Sequence, residues 1–278
     1  MSALAHDIDP DHTEAEAVQG AYVYGIVRAR DWASSSVFHQ PPLPGAETPH
    51  IVWSGERGVI VSPMIMGEID PTRRNMMAHT KVLEEAMAMG PVLPVRFGTL
   101  ADRPEALSTI LDDHGTDLDT LFARIAGRVE LGVKVFWNME RLFAEIGEED
   151  SKIRQLREKL AGTSEAQSYY QRIDLGRRIE DALAVKREQE AAALMALLSP
   201  LAEETRTPAV TEDRMVLNGA FLVEAAREAA FDAVVEDIRT RQEERVTVRY
   251  VGPVPPYSFI TLSIDWSPAE YPAFSGTP

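Results

Sequence analysis

Histidine is the side chain in this sequence whose ordinary pKa suits acid–base chemistry near neutral pH. The six histidines are scattered along the chain, at positions 6, 12, 39, 50, 79 and 114. His79 is a candidate general base, because Lys81 lies beside it and Glu84 and Glu85 follow about one helical turn later. The alternative is a ring that packs at a helix boundary with both nitrogens hydrogen-bonded, which is the commoner role of such a histidine.

Other residue sets with catalytic or metal-binding chemistry are absent from the sequence. There is no cysteine, which excludes disulfides, thiol nucleophiles, zinc–thiolate sites and iron–sulfur clusters. The patterns GxSxG, GxxxxGK[ST], HExxH and GxGxxG are also missing, so hydrolase elbows and phosphate-binding loops have no support. The mixed charges over 145–159 are typical of a solvated helix face rather than a catalytic carboxylate pair. We therefore predict no catalytic residues, no cofactor, no metal and no small-molecule substrate.

Composition and charge narrow the possible partners. The 278 residues include 28 Lys and Arg against 44 Asp and Glu, a formal net charge of -16, and 45% are hydrophobic. Such an acidic globular chain repels nucleic-acid phosphates and anionic lipid surfaces. No apolar run reaches the length of a membrane-spanning helix, and the acidic N-terminal segment does not resemble a secretory signal. We expect a soluble cytoplasmic protein that binds neither nucleic acid nor membrane.

The first half of the chain predicts an N-terminal α+β domain over residues 20–127. Residues 1–19 are acidic and have few large apolar side chains, so we expect them to form a disordered leader. Beyond the leader, β-branched and aromatic runs predict strands, and apolar residues at three- and four-residue steps predict helices. The strands are expected at 21–27, 51–54, 58–62 and 92–98, and the helices at about 71–89, 104–112 and 118–125.

The second half predicts a separate domain over residues 128–252. Residues 128–137 alternate in period two, as in a strand with one buried face. The remaining expected elements are helices at 139–160, 163–198 and 224–242, and strands at 204–210, 214–223 and 245–252. The order β, α, α, β, β, α, β is the ferredoxin-like βαββαβ order with an inserted helical hairpin. The fold class is therefore α+β with two domains, followed by a C-terminal tail over 253–278.

The tail contains the most unusual local sequence, Pro255, Pro256, Tyr257, Ser258 and Phe259. A proline-stiffened chain that presents two aromatic rings loses little entropy when it is fixed on a surface. These five residues are candidates for contact with another domain or protein. An intramolecular clasp over the protein's own core is the more ordinary role of such a segment.

Six methionines fall in the first domain and have two interpretations. Met is flexible and polarisable, so it suits both adaptable contact surfaces and irregular gaps in a core. Core filling is the more ordinary role. The six are Met64, Met66, Met76, Met77, Met87 and Met89.

Six segments together resemble a known family. They are AYVYGIV (21–27), GVIVSPM (58–64), HTKVLEEAMAMGPVLPVRFGTL (79–100), RVELGVKVFW (128–137), MVLNGAFLVE (215–224) and RYVGPVPPYSF (249–259). In this order and spacing they resemble the gas vesicle synthesis proteins F and L (GvpF/GvpL), with the F type slightly favoured. VLPVRFGT and GPVPPYSF are the most specific matches.

The resemblance implies a two-domain α+β protein with a ferredoxin-like C-terminal domain. It also implies a noncatalytic role, as a minor component or assembly factor of the gas vesicle, a gas-filled protein shell that gives cells buoyancy. Its implied partners are the hydrophobic shell subunit and other gas vesicle accessory proteins, and its implied location is the cytoplasm, in association with the vesicle.

Two other functional classes stay open at the level of sequence. Ferredoxin-like domains often bind small effectors, so a ligand-binding regulatory module is the main alternative. An enzyme built on His79, Arg96 and a carboxylate is the other. A pocket with convergent polar groups would favour the first, and a substrate-independent phenotype of His79→Ala would remove the second.

Overall fold

The computed structural model describes residues 19–32, 37–262 and 264–266. The chain folds into two compact units that meet in the sequence between Thr116 and Asp117, and the second unit runs Asp117–Leu262. This division falls one helix before the domain boundary predicted at residue 127. The predicted leader, except Gln19, and the tail beyond residue 266 lie outside the described residues.

The first unit is built on an antiparallel sheet. Its strands are β1 Gln19–Arg28, β2 His50–Ser54, β3 Arg57–Ile65, β4 Leu93–Pro94 and β5 Leu100–Ala101. The order is β2-β3-β1-β4, and β5 also pairs with β1. β1 is central and buried along almost its whole length, as its continuous apolar run predicts. The strand predicted over 92–98 is reduced to β4, because Pro94 has no N–H with which to extend the ladder.

One long helix covers the core of the first unit. Helix α1 spans Arg73–Met89, and the hydroxyl of Thr72 caps it by accepting a hydrogen bond from the backbone N–H of Asn75 at 3.2 Å. Its buried residues are His79, Val82, Leu83 and Ala86. The shorter helices α2 Leu107–Asp113 and α3 Gly115–Ile125 follow, as their apolar spacing predicts.

The second unit is also built on an antiparallel sheet, which has four strands. Its strands are β6 Arg128–Trp137, β7 Glu204–Arg206, β8 Met215–Glu224 and β9 Val246–Val254, in the order β7-β8-β6-β9. One face packs against helices through a core that includes Leu131, Val133 and Val135 from β6. We call the opposite side, which carries Glu130 and Leu222, the outer face.

Four helices accompany this sheet. They are α4 Met139–Glu149, α5 Ser151–Leu160, α6 Glu165–Leu198 and α7 Glu228–Arg241. The predicted single helix over 139–160, and with it the two-helix hairpin, is wrong. The carboxylate of Asp150 accepts backbone hydrogen bonds from Lys152 at 2.8 Å and Ile153 at 3.2 Å. This N-cap ends α4 and starts α5, so the insertion contains three helices.

Candidate partner-binding site

The tail that follows β9 lies across the outer face of the second sheet. Phe259 is only 1% exposed and packs with Ala220 and Leu222 of β8. The carbonyl of Pro256 accepts backbone hydrogen bonds from Phe259 and Ile260, both at 3.1 Å, which turns the chain so that the ring points into the sheet. Three apolar side chains thus anchor the tail on the sheet.

A buried carboxylate holds the same turn. Glu130, on β6, is 6% exposed, and it accepts hydrogen bonds from the backbone N–H of Ser258 at 2.8 Å and from its hydroxyl at 2.6 Å. Burial raises the pKa of Glu130, and the two hydrogen bonds from Ser258 oppose that rise. Because the buried carboxylate depends on Ser258 for its partners, the position of the tail is fixed by polar as well as apolar contacts.

The five tail residues therefore differ in what a partner can reach. Pro255, Pro256 and Phe259 are buried within the second unit, whereas Tyr257 and Ser258 are exposed. Tyr257 keeps 38% of its surface accessible. The tail makes the intramolecular clasp that is the more ordinary role, and it leaves one aromatic side chain of the motif accessible. Partner binding by this segment stays a prediction.

A second aromatic site on the outer face was missed from the sequence. Phe136, on β6, is 2% exposed, and the guanidinium carbons of Arg249 and Arg214 lie 4.7 Å and 5.1 Å from its ring centroid. Such cation–π contacts hold two exposed cations in place over one ring. The period-two pattern that puts Phe136 on the same face as Glu130 was the available signal.

His79 lies in the core of the first unit and not in a cleft. The hydroxyl of Tyr22 is 2.8 Å from its Nδ1, and the ring stacks with Tyr24 at a centroid distance of 5.6 Å. Burial lowers the pKa of His79 to about 4, against an opposing contribution from the backbone of Val95. Arg96 is exposed. These surroundings are typical of a packed core histidine, but the residue lies within α1 and not at the helix boundary that the ordinary interpretation predicts.

The buried His79 makes stability depend on pH. The unfolded chain binds its proton below about pH 6.5, whereas the folded protein resists protonation down to about pH 4, so stability is lost as pH falls through this window. We expect His79 to cost about 3 kcal/mol of unfolding free energy between pH 7 and pH 4. Urea unfolding at both pH values should show a smaller loss for His79→Phe, and equal losses would contradict the buried neutral state.

The chain is similar to known proteins along most of its length. The family model described as gas vesicle synthesis protein GvpL/GvpF matches residues 20–261. The chain belongs to the GvpL/GvpF family. Gas vesicle protein F of Nostoc sp. is 34% identical over 196 residues, which cover 69% of this chain and 79% of the relative. Gas vesicle protein F of a Streptomyces species is 29% identical over 244 residues, with coverages of 86% and 98%.

The fold agrees with the family. The crystal structure of GvpF from an Anabaena species matches with a TM-score of 0.71 at 27% identity, and the match covers 88% of this chain and 99% of that one. This chain and that crystal structure share a mixed α and β fold, with two antiparallel sheets and accompanying helices. The chain therefore has a role related to gas vesicles, in a family that is not a known enzyme family.

The described residues offer neither a metal site nor a membrane-spanning helix. Within residues 19–32, 37–262 and 264–266, no group of three or more His, Asp or Glu side chains is arranged to hold a metal ion. In the same part of the chain, no helix combines the length and the apolarity that crossing a membrane would need. The longest helix, α6, has 34 residues and carries charged side chains along most of its length, up to Glu190.

Proposed function

We propose that this GvpL/GvpF member, of the F type, is a noncatalytic structural or assembly protein of the gas vesicle. It is a minor component that binds the hydrophobic shell subunit and other accessory proteins in the cytoplasm while the buoyant vesicle forms. The observation that carries the proposal for this chain is an aromatic side chain, Tyr257, that is 38% exposed on a tail anchored through Phe259.

We also infer that the second unit has a ferredoxin-like arrangement with an extended first crossover. Its strands follow the order β7-β8-β6-β9 and the neighbouring pairs are antiparallel. That order supports the split βαβ pattern, in which each crossover helix returns the chain across one intervening strand. The arrangement matters for function because helices pack on one face of the sheet, and the tail lies on the other.

Anchoring makes Tyr257 suitable for binding. A side chain that is already ordered loses less entropy on association than one on a free segment. Tyrosine combines a large apolar ring with a hydroxyl, which suits contact with an apolar client at the edge of water. The net charge of -16 favours a complex that stays dispersed while it holds such a client.

The test is co-expression with the shell subunit, followed by co-purification from the soluble fraction. We expect the unaltered protein to retain the soluble shell subunit and Tyr257→Ser to bind it about thirtyfold more weakly, since a central interface aromatic contributes about 2 kcal/mol or more. Tyr170→Ser is the matched control, because Tyr170 is 83% exposed on α6. It should retain the shell subunit as the unaltered protein does.

Point substitution is preferable to removal of the tail. Truncation after Gly252 would expose Leu222 and leave the carboxylate of Glu130 without the hydrogen bonds from Ser258, so lost binding could reflect lost folding. Normal retention by Tyr257→Ser would overturn the tail as the contact. Failure of the unaltered protein to retain any shell subunit would overturn the client-binding role and favour a ligand-binding regulatory module.

A further inference from the structure

A groove of about 780 Å³ lies in the first unit beside helix α1. One wall is the segment 41–46, which contains three prolines, and the other is the first half of α1. A second hollow of about 520 Å³ lies beside it on the same helix, and Arg73, Met77 and Lys81 line both. We call these two adjoining hollows together the α1 groove.

The floor of the α1 groove is apolar and adaptable. Met76 and Met77 are 49% and 46% exposed, and both line the smaller hollow of the groove. In contrast, Met64, Met87 and Met89 pack against the core of the first unit, as core filling predicts. Flexible thioether side chains left exposed in a groove are typical of surfaces that accept apolar side chains of varied shape.

The wall opposite α1 is held in position, so the groove exists before a partner binds. The carboxylate of Glu85 accepts backbone hydrogen bonds from His39 at 2.8 Å and Gln40 at 2.9 Å. Leu43 is 1% exposed, and its backbone N–H donates to the hydroxyl of Tyr24 at 3.2 Å. A preformed groove keeps the entropy cost of binding low.

The rim of the groove is cationic on a strongly acidic protein. Three side chains of this rim are exposed and line the larger hollow: Arg73, Arg74 and Lys81. None of the three forms an ion pair with any residue that the structure describes. Among the described residues that line the α1 groove, the single acidic one is Glu84, in the smaller hollow.

The stability of α1 does not account for these cations. Arg73 and Arg74 occupy the first turn of the helix, which contains no acidic residue. The partial positive charge of a helix N-terminus favours carboxylates there and disfavours arginines. Two arginines at this place therefore weaken the isolated helix slightly, and an anionic partner would offset that cost.

We propose that the α1 groove binds an acidic amphipathic segment of a partner protein. Apolar side chains of the segment enter the groove over Met76 and Met77. Carboxylates of the segment pair with Arg73, Arg74 and Lys81. From Arg73 to Lys81 the helix rises about 12 Å, which matches about two turns of a bound helix. A nucleic acid or free phosphate would use the cations and leave the apolar floor uncovered. The groove acts separately from Tyr257, so this proposal goes beyond the client contact above.

The probe is a fluorescein-labelled peptide of about 14 residues with Leu at helical i, i+3, i+4 and i+7 positions and Glu elsewhere. Fluorescence anisotropy with the full-length protein should show saturable binding that weakens as salt is raised. Two control peptides, one with Leu replaced by Ser and one with Glu replaced by Lys, should bind about tenfold more weakly or not at all. Equal binding of all three peptides would overturn the proposal.

Charge reversal on the protein tests the assigned residues. Arg73→Glu with Arg74→Glu should weaken peptide binding about tenfold, while Tm stays level or rises because carboxylates suit this helix end. Lys152→Glu with Arg154→Glu makes the same charge change in the first turn of α5 and should leave binding unchanged. Equal weakening by both pairs, or none by the first, would overturn the assignment. Tyr257→Ser should bind the peptide normally, which separates this result from a failure of the tail contact.

Discussion

Replacing Phe259 by alanine should lower the free energy of unfolding of the second unit by about 3 kcal/mol or more. The ring is 1% exposed and fills a site against Ala220 and Leu222, so its removal loses buried apolar area and leaves a cavity. The change should also loosen Ser258 from Glu130, whose buried carboxylate then lacks partners. Urea unfolding followed by circular dichroism measures the loss, and hydrogen exchange at Ser258 reports the loosening.

Tyr257→Ala is the matched control for that experiment. It removes the neighbouring aromatic from the same segment, but Tyr257 is 38% exposed, so its cost should stay near 1 kcal/mol or less. The contrast separates anchoring by Phe259 from contact by Tyr257. If the two variants lose the same stability, the tail does not pack on β8 in solution, and the argument that Tyr257 is pre-ordered for a partner fails with it.

Two strands of the second sheet, β6 and β8, were accessible to sequence reasoning, whereas the strand predicted at 204–210 is reduced to Glu204–Arg206. β6 was predicted at residues 128–137 and is observed at Arg128–Trp137, because its alternation reports one face buried against helices. β8 differs from its prediction by a single residue at each end. The break at Asp150 was missed, because the apolar spacing continues through it while one side-chain cap ends the helix.

The destination of the tail could not be read from the sequence in the same way. Phe259 lies in a part of the tail, 255–262, where no strand forms. Its environment is set by Ala220 and Leu222, which are remote in the chain. The α1 groove depends on a similarly remote contact, since Glu85 fixes the backbone of His39 and Gln40. Local patterns carry little information about such pairings.

One cluster of polar contacts in the second unit centres on Arg245, immediately before β9. Its Nε and Nη2 donate to the two carboxylate oxygens of Glu145 on α4 at 2.7 Å and 2.8 Å, and Nη2 also donates to Glu190 on α6. The indole N–H of Trp137 donates to Glu190 at 2.7 Å. One guanidinium therefore joins two helices to the sheet.

Arg245→Met should lower the free energy of unfolding by about 2 kcal/mol at pH 7, less than for a fully buried pair because the side chain is 29% exposed. It leaves Glu145 and Glu190 close together without the cation between them. The hydrogen bonds from Arg245 hold the pKa of Glu145 below its usual range, so this stabilisation exists above that usual range and is lost as pH falls through the lowered pKa. The cost of the substitution should therefore shrink in acid, as urea unfolding at pH 7 and pH 3 would show.

The matched control is Arg241→Met, which also removes an ion pair. The guanidinium of Arg241 lies 2.7 Å from Asp237, but the two side chains are 76% and 51% exposed, so water screens the pair and its loss should cost about 0.5 kcal/mol or less. The difference between the two variants isolates partial burial and shared partners as the source of stability. Equal costs at pH 7, or a cost for Arg245→Met that does not change with pH, would mean that the stability of the second unit does not depend on the contacts of Arg245 with the two carboxylates.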